Sequence, residues 1–197
     1  MGKKNISVII LAGGDSERLE FPKPFLLFSS RITFTEKLIR EYHKFGCRKI
    51  IIVINAKYYS EDFFSKINKH FNALVVINGH PEFGKFYSLK LGVSKLTAEK
   101  FCFIQNIDNP FTNLTLLKNL YVTKYSDSCT SPVFRGKGGH PVLIGAKIIK
   151  DIKKEKSADI NLRVFLNKYR RIERPTYNEK IKANINTLKD YKKYFLL

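Results

Sequence analysis

The chain has few cysteines, and their spacing excludes the usual roles of paired thiols. Cys47, Cys102 and Cys129 are the three cysteines, and no two of them form a C-x-x-C pair. An odd, widely spaced set argues against a structural zinc site and favours a reducing compartment. Cys102 lies between two phenylalanines, where a small buried apolar residue is the ordinary explanation.

Long apolar runs are also missing. No run approaches the roughly 20 residues that a membrane-spanning helix needs, and Met1–Lys4 do not lead into a signal-peptide core. Repeats, low-complexity tracts and linkers are likewise missing from the sequence. We therefore expect a cytoplasmic protein with no membrane partner, folded as a single domain over residues 1–197.

Acidic residues are scarce beside basic ones. The 17 Asp and Glu residues face 36 Lys and Arg residues, which gives a formal net charge of +19. This excess favours anionic partners. Nucleic-acid binders usually concentrate their charge on one face or arm, whereas the lysines here are scattered with modest clusters such as 147–156. A small anionic ligand is therefore favoured over a nucleic acid.

Apolar runs alternate with helical patterns over the first 125 residues. The predicted strands are Ile6–Ala12, Lys49–Asn55, Ala73–Asn78 and Phe101–Ile107, and the predicted helices are Thr35–Lys44, Ser60–His70, Phe86–Leu96 and Asn113–Lys124. This rhythm predicts an α/β fold with three layers, α/β/α and Rossmann-like, around a mostly parallel sheet.

The rhythm changes after about residue 125. Strands are predicted at 128–134 and 141–144, with short strands at 171–174 and 182–185; helices are predicted at about 146–154, 161–168 and 188–194. We therefore expect the domain to consist of two halves, over about 1–112 and about 113–197.

A glycine turn follows the first apolar strand. Gly13 and Gly14 allow a tight turn whose N–H groups can approach a ligand, and Arg18 and Lys23 add positive charge around it. Amides and cations together hold polyphosphates well. Neither G-x-x-x-x-G-K-[ST] nor G-x-G-x-x-G occurs, so neither a Walker loop nor a dinucleotide-binding turn is supported.

Asp108 follows the fourth predicted strand. The carboxyl ends of parallel strands lie at one edge of the sheet, so Asp108 should lie near the glycine turn. A carboxylate beside a polyphosphate is compensated by Mg²⁺, which takes one or two carboxylates, phosphate oxygens and water. An ordinary turn or cap aspartate before Pro110 remains an alternative at this point.

Several segments together resemble the MobA-like nucleotidyltransferase superfamily, which contains the molybdenum cofactor guanylyl- and cytidylyltransferases. The similar segments, in family order, are Leu11–Arg18 with Pro22-Lys23, Ser88-Leu-Lys-Leu-Gly92, Asp108-Asn-Pro110 and Asn184-Ile-Asn186-Thr187. Gly139-His140-Pro141 is similar to the cytidylyltransferases in particular. The resemblance implies a GT-A-type fold and Mg²⁺-dependent transfer of a nucleoside monophosphate from an NTP to a phosphorylated acceptor, with pyrophosphate released.

The resemblance also implies that the half over about 1–112 binds the nucleotide and that the half over about 113–197 binds the acceptor, and it implies roles for individual residues. The implied catalytic residues are Arg18, Lys23 and Asp108. The implied nucleotide-binding residues are Leu11, Ala12, Gly13, Gly14, Arg18, Lys23 and Ser88. The implied metal ligands are Asp108, Asn184 and Asn186, and the implied acceptor-binding residues are Gly138, Gly139 and His140.

The chain departs from the family pattern at three places, and these bear on the substrate. Glu20 and Leu188 replace a glycine and a proline, and segment 157–163 lacks the glycines of the molybdopterin enzymes. CTP is favoured by the Gly-His-Pro segment and GTP comes next, with molybdopterin as one candidate acceptor. The alternatives are a catalytically silent nucleotide-binding relative and a basic polyanion-binding protein; the oligomeric state is not indicated.

Overall fold

A layer of strands lies between two layers of helices in the computed structural model, which describes residues 4–14, 19 and 21–195. The strands are β1 (Lys4–Ala12), β2 (Leu27–Ser29), β3 (Ile32–Thr33), β4 (Cys47–Asn55), β5 (Ala73–Asn78), β6 (Phe101–Asn106), β7 (Ser128–Phe134), β8 (Lys137–Gly138), β9 (Val142–Gly145) and β10 (Arg170–Pro175). The helices are α1 (Phe34–Phe45), α2 (Glu61–Phe71), α3 (Gly84–Ser94), α4 (Leu114–Val122), α5 (Ala146–Lys154), α6 (Leu162–Leu166) and α7 (Leu188–Phe195).

The central sheet is mostly parallel, as the sequence predicts. Its order is β10-β7-β9-β6-β1-β4-β5, and β8 pairs with β7. β1 runs parallel to both β4 and β6, and β5 continues the parallel set beside β4. β9 is antiparallel to its neighbours β6 and β7, which makes β7 parallel to β6. The carboxyl ends of β1, β4, β5, β6 and β7 therefore share one edge.

The side chains of β1 explain why this strand is central. Ile6, Val8 and Ile10 enter one apolar cluster, and Ile9 and Leu11 enter the cluster on the opposite face of the sheet. A strand buried on both faces is apolar throughout rather than alternating. Helices α1, α2 and α4 contribute buried residues to the first cluster, and α3, α5 and α6 to the second. The three-layer Rossmann-like fold in a single domain is confirmed.

The prediction of a strand over 182–185 is wrong. A 3-10 helix covers Glu179–Lys182, and residues 183–186 belong to neither a helix nor a strand. The carbonyls of this segment are bonded elsewhere: the Asn109 side-chain amide lies 2.8 Å from the Ile181 oxygen and 2.7 Å from the Ala183 oxygen. A side chain thus takes the place of a neighbouring strand.

Among the described residues, no helix is long and apolar enough to cross a membrane.

Candidate active site

A cleft lies at the carboxyl edge of the parallel strands, where ligands bind in open α/β sheets. The cleft is lined by Leu11, Ala12, Gly13, Gly14, Lys23, Pro81, Gly84, Lys85, Ser88, Asn106, Ile107 and Asp108. The structure therefore brings together the glycine turn after β1, Lys23, Ser88 on α3 and Asp108 after β6. These residues are separated by up to 97 positions in sequence, and the parallel pairing of β1 with β6 joins them.

The two glycines of the turn have different surroundings. A Cβ atom on Gly13 would lie 2.7 Å from Ser88 Oγ and 3.2 Å from Asn78 Nδ2. A Cβ atom on Gly14 would meet nothing within 4 Å, and Gly14 is exposed at the cleft. Gly13 is thus required by packing against α3, whereas Gly14 leaves its backbone open to a ligand.

Ser88 and Asn78 form the wall behind Gly13. Asn78 Nδ2 donates to Ser88 Oγ at 3.0 Å, and Ser88 Oγ lies 3.2 Å from the carbonyl oxygen of Gly84. Asn78 Oδ1 accepts from the His80 N–H at 2.9 Å. The buried amide of Asn78 therefore ties the end of β5 to the start of α3 and holds the turn that carries Pro81 and Gly84.

Lys23 begins a short 3-10 helix, Lys23–Phe25, directly after Pro22. Its Nζ donates to Asn186 Oδ1 at 2.7 Å. Asn186 is fixed in turn at the start of α7, because its N–H and that of Thr187 donate to the Asp190 carboxylate at 3.1 and 2.9 Å. The segment resembling a metal motif therefore contacts the predicted phosphate-binding lysine directly.

The amino end of α7 also affects the Asp190 carboxyl group. Burial raises its pKa, but the bonds from Thr187 and Asn186 lower it by more, so the net pKa lies below its ordinary value. Asp190 is thus ionised at neutral pH and caps the helix, which keeps Asn186 in position beside Lys23.

Asp108 lies in a four-residue turn, 106–109, that follows β6 and closes with the Asn109 N–H 3.3 Å from the Asn106 oxygen. The turn is tied on both sides: the Ile107 N–H donates to the Leu11 oxygen at 3.1 Å, and the Asp108 oxygen accepts from the Ile185 N–H at 2.8 Å. Oδ1 of Asp108 is buried and accepts no hydrogen bond from the described residues.

An uncommitted carboxylate oxygen beside a cleft fits a divalent cation, since buried polar atoms are otherwise nearly always bonded. The described residues contain no group of three or more His, Cys, Asp or Glu side chains that could hold a metal. A cation here would therefore be held by one carboxylate together with neutral oxygens and ligand oxygens. That donor set suits Mg²⁺, which keeps several waters and binds substrate phosphates.

His140 is packed against the end of β6. Its Nε2 lies 2.9 Å from Asn106 Nδ2, and its backbone N–H donates to the Ile181 oxygen at 3.0 Å. Burial lowers the pKa of His140, the charge of Asp108 raises it and that of Lys85 lowers it, and the net pKa is about 4. The imidazole is therefore neutral at neutral pH and adds no charge beside the Asp108 carboxylate.

The glycines before His140 also differ. A Cβ atom on Gly139 would lie 2.4 Å from the Ile181 oxygen, so close packing alone explains this glycine. Gly138 is exposed in β8 and has open space around it. None of the three predicted acceptor residues lines the cleft among the described residues. They lie at the same edge of the sheet, however, because Gly138 pairs with Val133 near the carboxyl end of β7 and His140 contacts Asn106.

Two of the predicted metal ligands also do not line the cleft in the described part of the chain. Asn184 is exposed, and Asn186 reaches the cleft only through its bond to Lys23. Arg18 lies outside the described residues, as does Glu20. The sequence reasoning missed Lys85, Asn78 and Asn106; Asn78 and Asn106 could have been found, because each is a polar residue at or next to the carboxyl end of a predicted parallel strand.

A glycine turn, a lysine and an unpartnered carboxylate oxygen thus lie together where parallel strands end, an arrangement typical of nucleotide-binding α/β proteins. The family model of the MobA-like NTP transferase domain matches residues 8–172, and the chain belongs to this family. It is therefore a nucleotidyltransferase. No significant match is found among curated protein sequences.

Solved structures with the same fold are distant in sequence. Rv0371c from Mycobacterium tuberculosis H37Rv matches with a TM-score of 0.79 and 15% identity over 99% of both chains. A nucleotidyl transferase from Methanothermobacter matches with a TM-score of 0.76 and 18% identity over 95% of this chain and 94% of its own. The inositol-1-phosphate CTP transferase from T. maritima matches with a TM-score of 0.68 and 17% identity over 93% and 90%. At these identities the likeness shows the fold.

Proposed function

We propose that this protein transfers a nucleoside monophosphate from an NTP, CTP in preference to GTP, to a phosphorylated small-molecule acceptor. An acceptor oxygen attacks the α-phosphorus, a new P–O bond forms, and the bond to the β-phosphate oxygen breaks to release pyrophosphate. The observation that carries the proposal is the convergence of Gly14, Lys23 and the unpartnered Asp108 oxygen on one cleft.

The triphosphate would lie over the glycine turn. The open backbone at Gly14 and the Lys23 ammonium would bind phosphate oxygens, with Arg18 as a further cation. Asp108 would hold Mg²⁺, and the ion would neutralise phosphate charge when bound. Asn184 and Asn186 are the proposed neutral ligands; for Asn186 this requires Lys23 to leave its Oδ1 and bind a phosphate oxygen instead. A manganese complex of Rv0371c supports a divalent metal. Lys23 contributes a charge-assisted bond to the leaving pyrophosphate.

The base would rest against Leu11–Gly14 and Ser88, where main-chain groups can read its edge. CTP is supported by the Gly-His-Pro segment and by a structural neighbour named as a CTP transferase. GTP is the second choice.

The acceptor would lie on the side of β7 and β9, near Gly138, Gly139 and His140. Support comes from cations at this end of the sheet: Lys182 Nζ lies 4.9 Å from the Phe134 ring centre, and the Arg135 guanidinium lies 5.2 Å from it. Such cations favour a phosphorylated acceptor. Molybdopterin is one candidate to test.

Pyrophosphate release tests the proposal. The protein is incubated with each of the four NTPs, Mg²⁺ and a panel of phosphorylated acceptors that includes molybdopterin, with Asp108→Asn as the control. Release that needs both CTP and an acceptor supports the proposal. Binding of NTP without release for any acceptor would instead indicate a catalytically silent relative.

A thermal-shift panel tests the base separately. A ligand that binds only the native state raises its stability, so Mg·CTP should raise the Tm more than Mg·GTP, Mg·ATP or Mg·UTP. Equal shifts from all four nucleotides would refute the assignment of the base, and no shift from any would count against the nucleotide site.

A further inference from the structure

A glutamine lies in the apolar layer beneath the Asp108 turn. Gln105 on β6 is 0% exposed, and its neighbour Phe103 packs against the ring of Tyr42 in the cluster formed with α1. A buried amide without hydrogen bonds destabilises a fold, so its partners show what it does there.

All hydrogen-bonding positions of the Gln105 amide are used. Its Oε1 accepts from the hydroxyl groups of Tyr42 at 2.8 Å and Thr112 at 2.6 Å. Its Nε2 donates to the backbone oxygens of Asn106 at 2.8 Å and Asn109 at 2.9 Å. Carbonyl oxygens can only accept, so they fix which end of the amide faces the turn.

These two carbonyls are the first and last of the turn that carries Asp108. Nε2 of Gln105 therefore bridges the turn, which the Asn109 N–H also closes at 3.3 Å. Among the described residues, this bridge and that backbone bond are the contacts that join residues 106 and 109 to each other, and the bonds of Ile107 and Asp108 tie the turn to its surroundings. The direction of the Asp108 side chain depends on the separation of residues 106 and 109.

We infer that Gln105 is a positioning residue for metal and triphosphate binding: it sets the turn that aims the Asp108 carboxylate into the cleft. This inference rests on the proposed function. Gln105 touches no ligand itself, because it lies under the turn and does not line the cleft. Hydrogen-bonded groups behind a metal ligand typically alter metal affinity by 10- to 100-fold.

The test separates positioning from stability by comparing the two ends of the same amide. Gln105→Met removes both bonds to the turn and keeps the side chain's length. Tyr42→Phe and Thr112→Val are the matched controls, because each removes one hydroxyl from Oε1 and leaves both bonds from Nε2 in place. All three variants lose buried hydrogen bonds, so all three should lower the Tm.

The decisive readout is Mn²⁺ affinity, measured by the EPR signal of unbound Mn²⁺ in the absence of nucleotide, because free CTP would itself chelate the ion. Gln105→Met should weaken Mn²⁺ binding on the order of 10-fold or more, and the two controls should change it less than about 2-fold. In activity assays the same variant should need more Mg²⁺ for half-maximal rate. Unchanged Mn²⁺ affinity in Gln105→Met, or equal weakening in all three variants, would overturn the inference.

Two further variants keep the result interpretable. Gln105→Glu preserves the shape of the side chain and its acceptor oxygen, but it places a carboxylate oxygen where Nε2 donates to the turn. It should therefore also weaken Mn²⁺ binding, and it replaces Gln105→Met in the test if that variant does not fold. Asp108→Asn tests the proposed function itself: if it leaves Mn²⁺ affinity unchanged, the metal is not at Asp108. That outcome is distinct from failure of the Gln105 inference, in which Asp108→Asn weakens binding and Gln105→Met does not.

Discussion

Neighbouring glycines in the turn after β1 should respond to alanine in opposite ways. The Cβ atom of Gly13→Ala would lie 2.7 Å from Ser88 Oγ, whereas that of Gly14→Ala would meet no atom within 4 Å. Gly13→Ala should therefore destabilise the fold. Gly14→Ala should fold normally and bind the triphosphate less well, because its methyl group occupies the space proposed for phosphate oxygens.

The magnitude follows from the packing. Forcing an extra methyl group into a packed site costs about 1–3 kcal/mol. In a domain of this size each kcal/mol lowers the Tm by roughly 2–4 °C, so Gly13→Ala should lower it by about 2–12 °C. Gly14→Ala should change the free energy of unfolding by less than about 0.5 kcal/mol.

A double-mutant cycle tests whether Ser88 causes the difference. Ser88→Ala removes the crowding oxygen, and the remaining Ser88 Cβ lies at an ordinary contact distance of 3.6 Å from the new methyl group. The double variant Gly13→Ala/Ser88→Ala should therefore be more stable than the sum of the single effects, by about 0.5–3 kcal/mol. Denaturant unfolding of the four proteins measures this, and additive energies would refute the reasoning.

The glycine variants also test nucleotide binding. Mg·CTP should raise the Tm of Gly14→Ala less than that of the wild-type protein. A full shift in Gly14→Ala would show that the backbone at this position does not contact the nucleotide.

Three further perturbations test individual side chains. Asp108→Asn should lower kcat on the order of 10²-fold or more without lowering the Tm, measured by pyrophosphate release and thermal unfolding; near-normal rates at saturating Mg²⁺ would contradict this. Lys23→Met should lower kcat by about one to two decades, which corresponds to the loss of a charge-assisted hydrogen bond, and Lys23→Arg should not restore the rate. A change in KM alone would instead indicate that Lys23 binds the substrate and the transition state equally well. Glu99 is buried, which raises its pKa, but N–H bonds from Thr97 and Ala98 and the charge of Lys49 lower the net pKa below its ordinary value of 4.5. The wild-type protein should therefore be more stable than Glu99→Gln at neutral pH and lose that advantage as the pH falls through this lowered pKa, whereas a Tm difference that does not shrink as the pH falls would contradict this reasoning.

The nucleotide half of the cleft could be predicted because its residues follow buried strands. Val8 to Ala12 are apolar on both faces, so a central parallel strand was the natural interpretation, and Gly13 then had to lie at its carboxyl edge. The same argument placed Asp108 near the turn. Short-range sequence patterns suffice where the strand itself positions the residue.

The contacts made by segment 179–186 could not be predicted in the same way. Its apolar residues Ile181, Ala183 and Ile185 alternate as in a strand, yet three carbonyl oxygens of the segment accept hydrogen bonds from the Asn109 amide or the His140 N–H. Partners more than 40 residues away leave no local signal. The bond from Lys23 to Asn186 spans 163 residues and is invisible to spacing for the same reason.

The side-chain attachment of segment 179–186 has a consequence for how the protein opens. Its backbone is not protected by a sheet ladder in the described residues, so its amide hydrogens should exchange with solvent faster than those of β1 or β6. Opening of this segment would break the bond from the Ile185 N–H to the Asp108 carbonyl and the bond from Lys23 Nζ to Asn186 Oδ1 together. Local unfolding of this segment should therefore also dismantle the site. A bound nucleotide should slow amide exchange in segment 179–186, although this segment is far in sequence from the glycine turn.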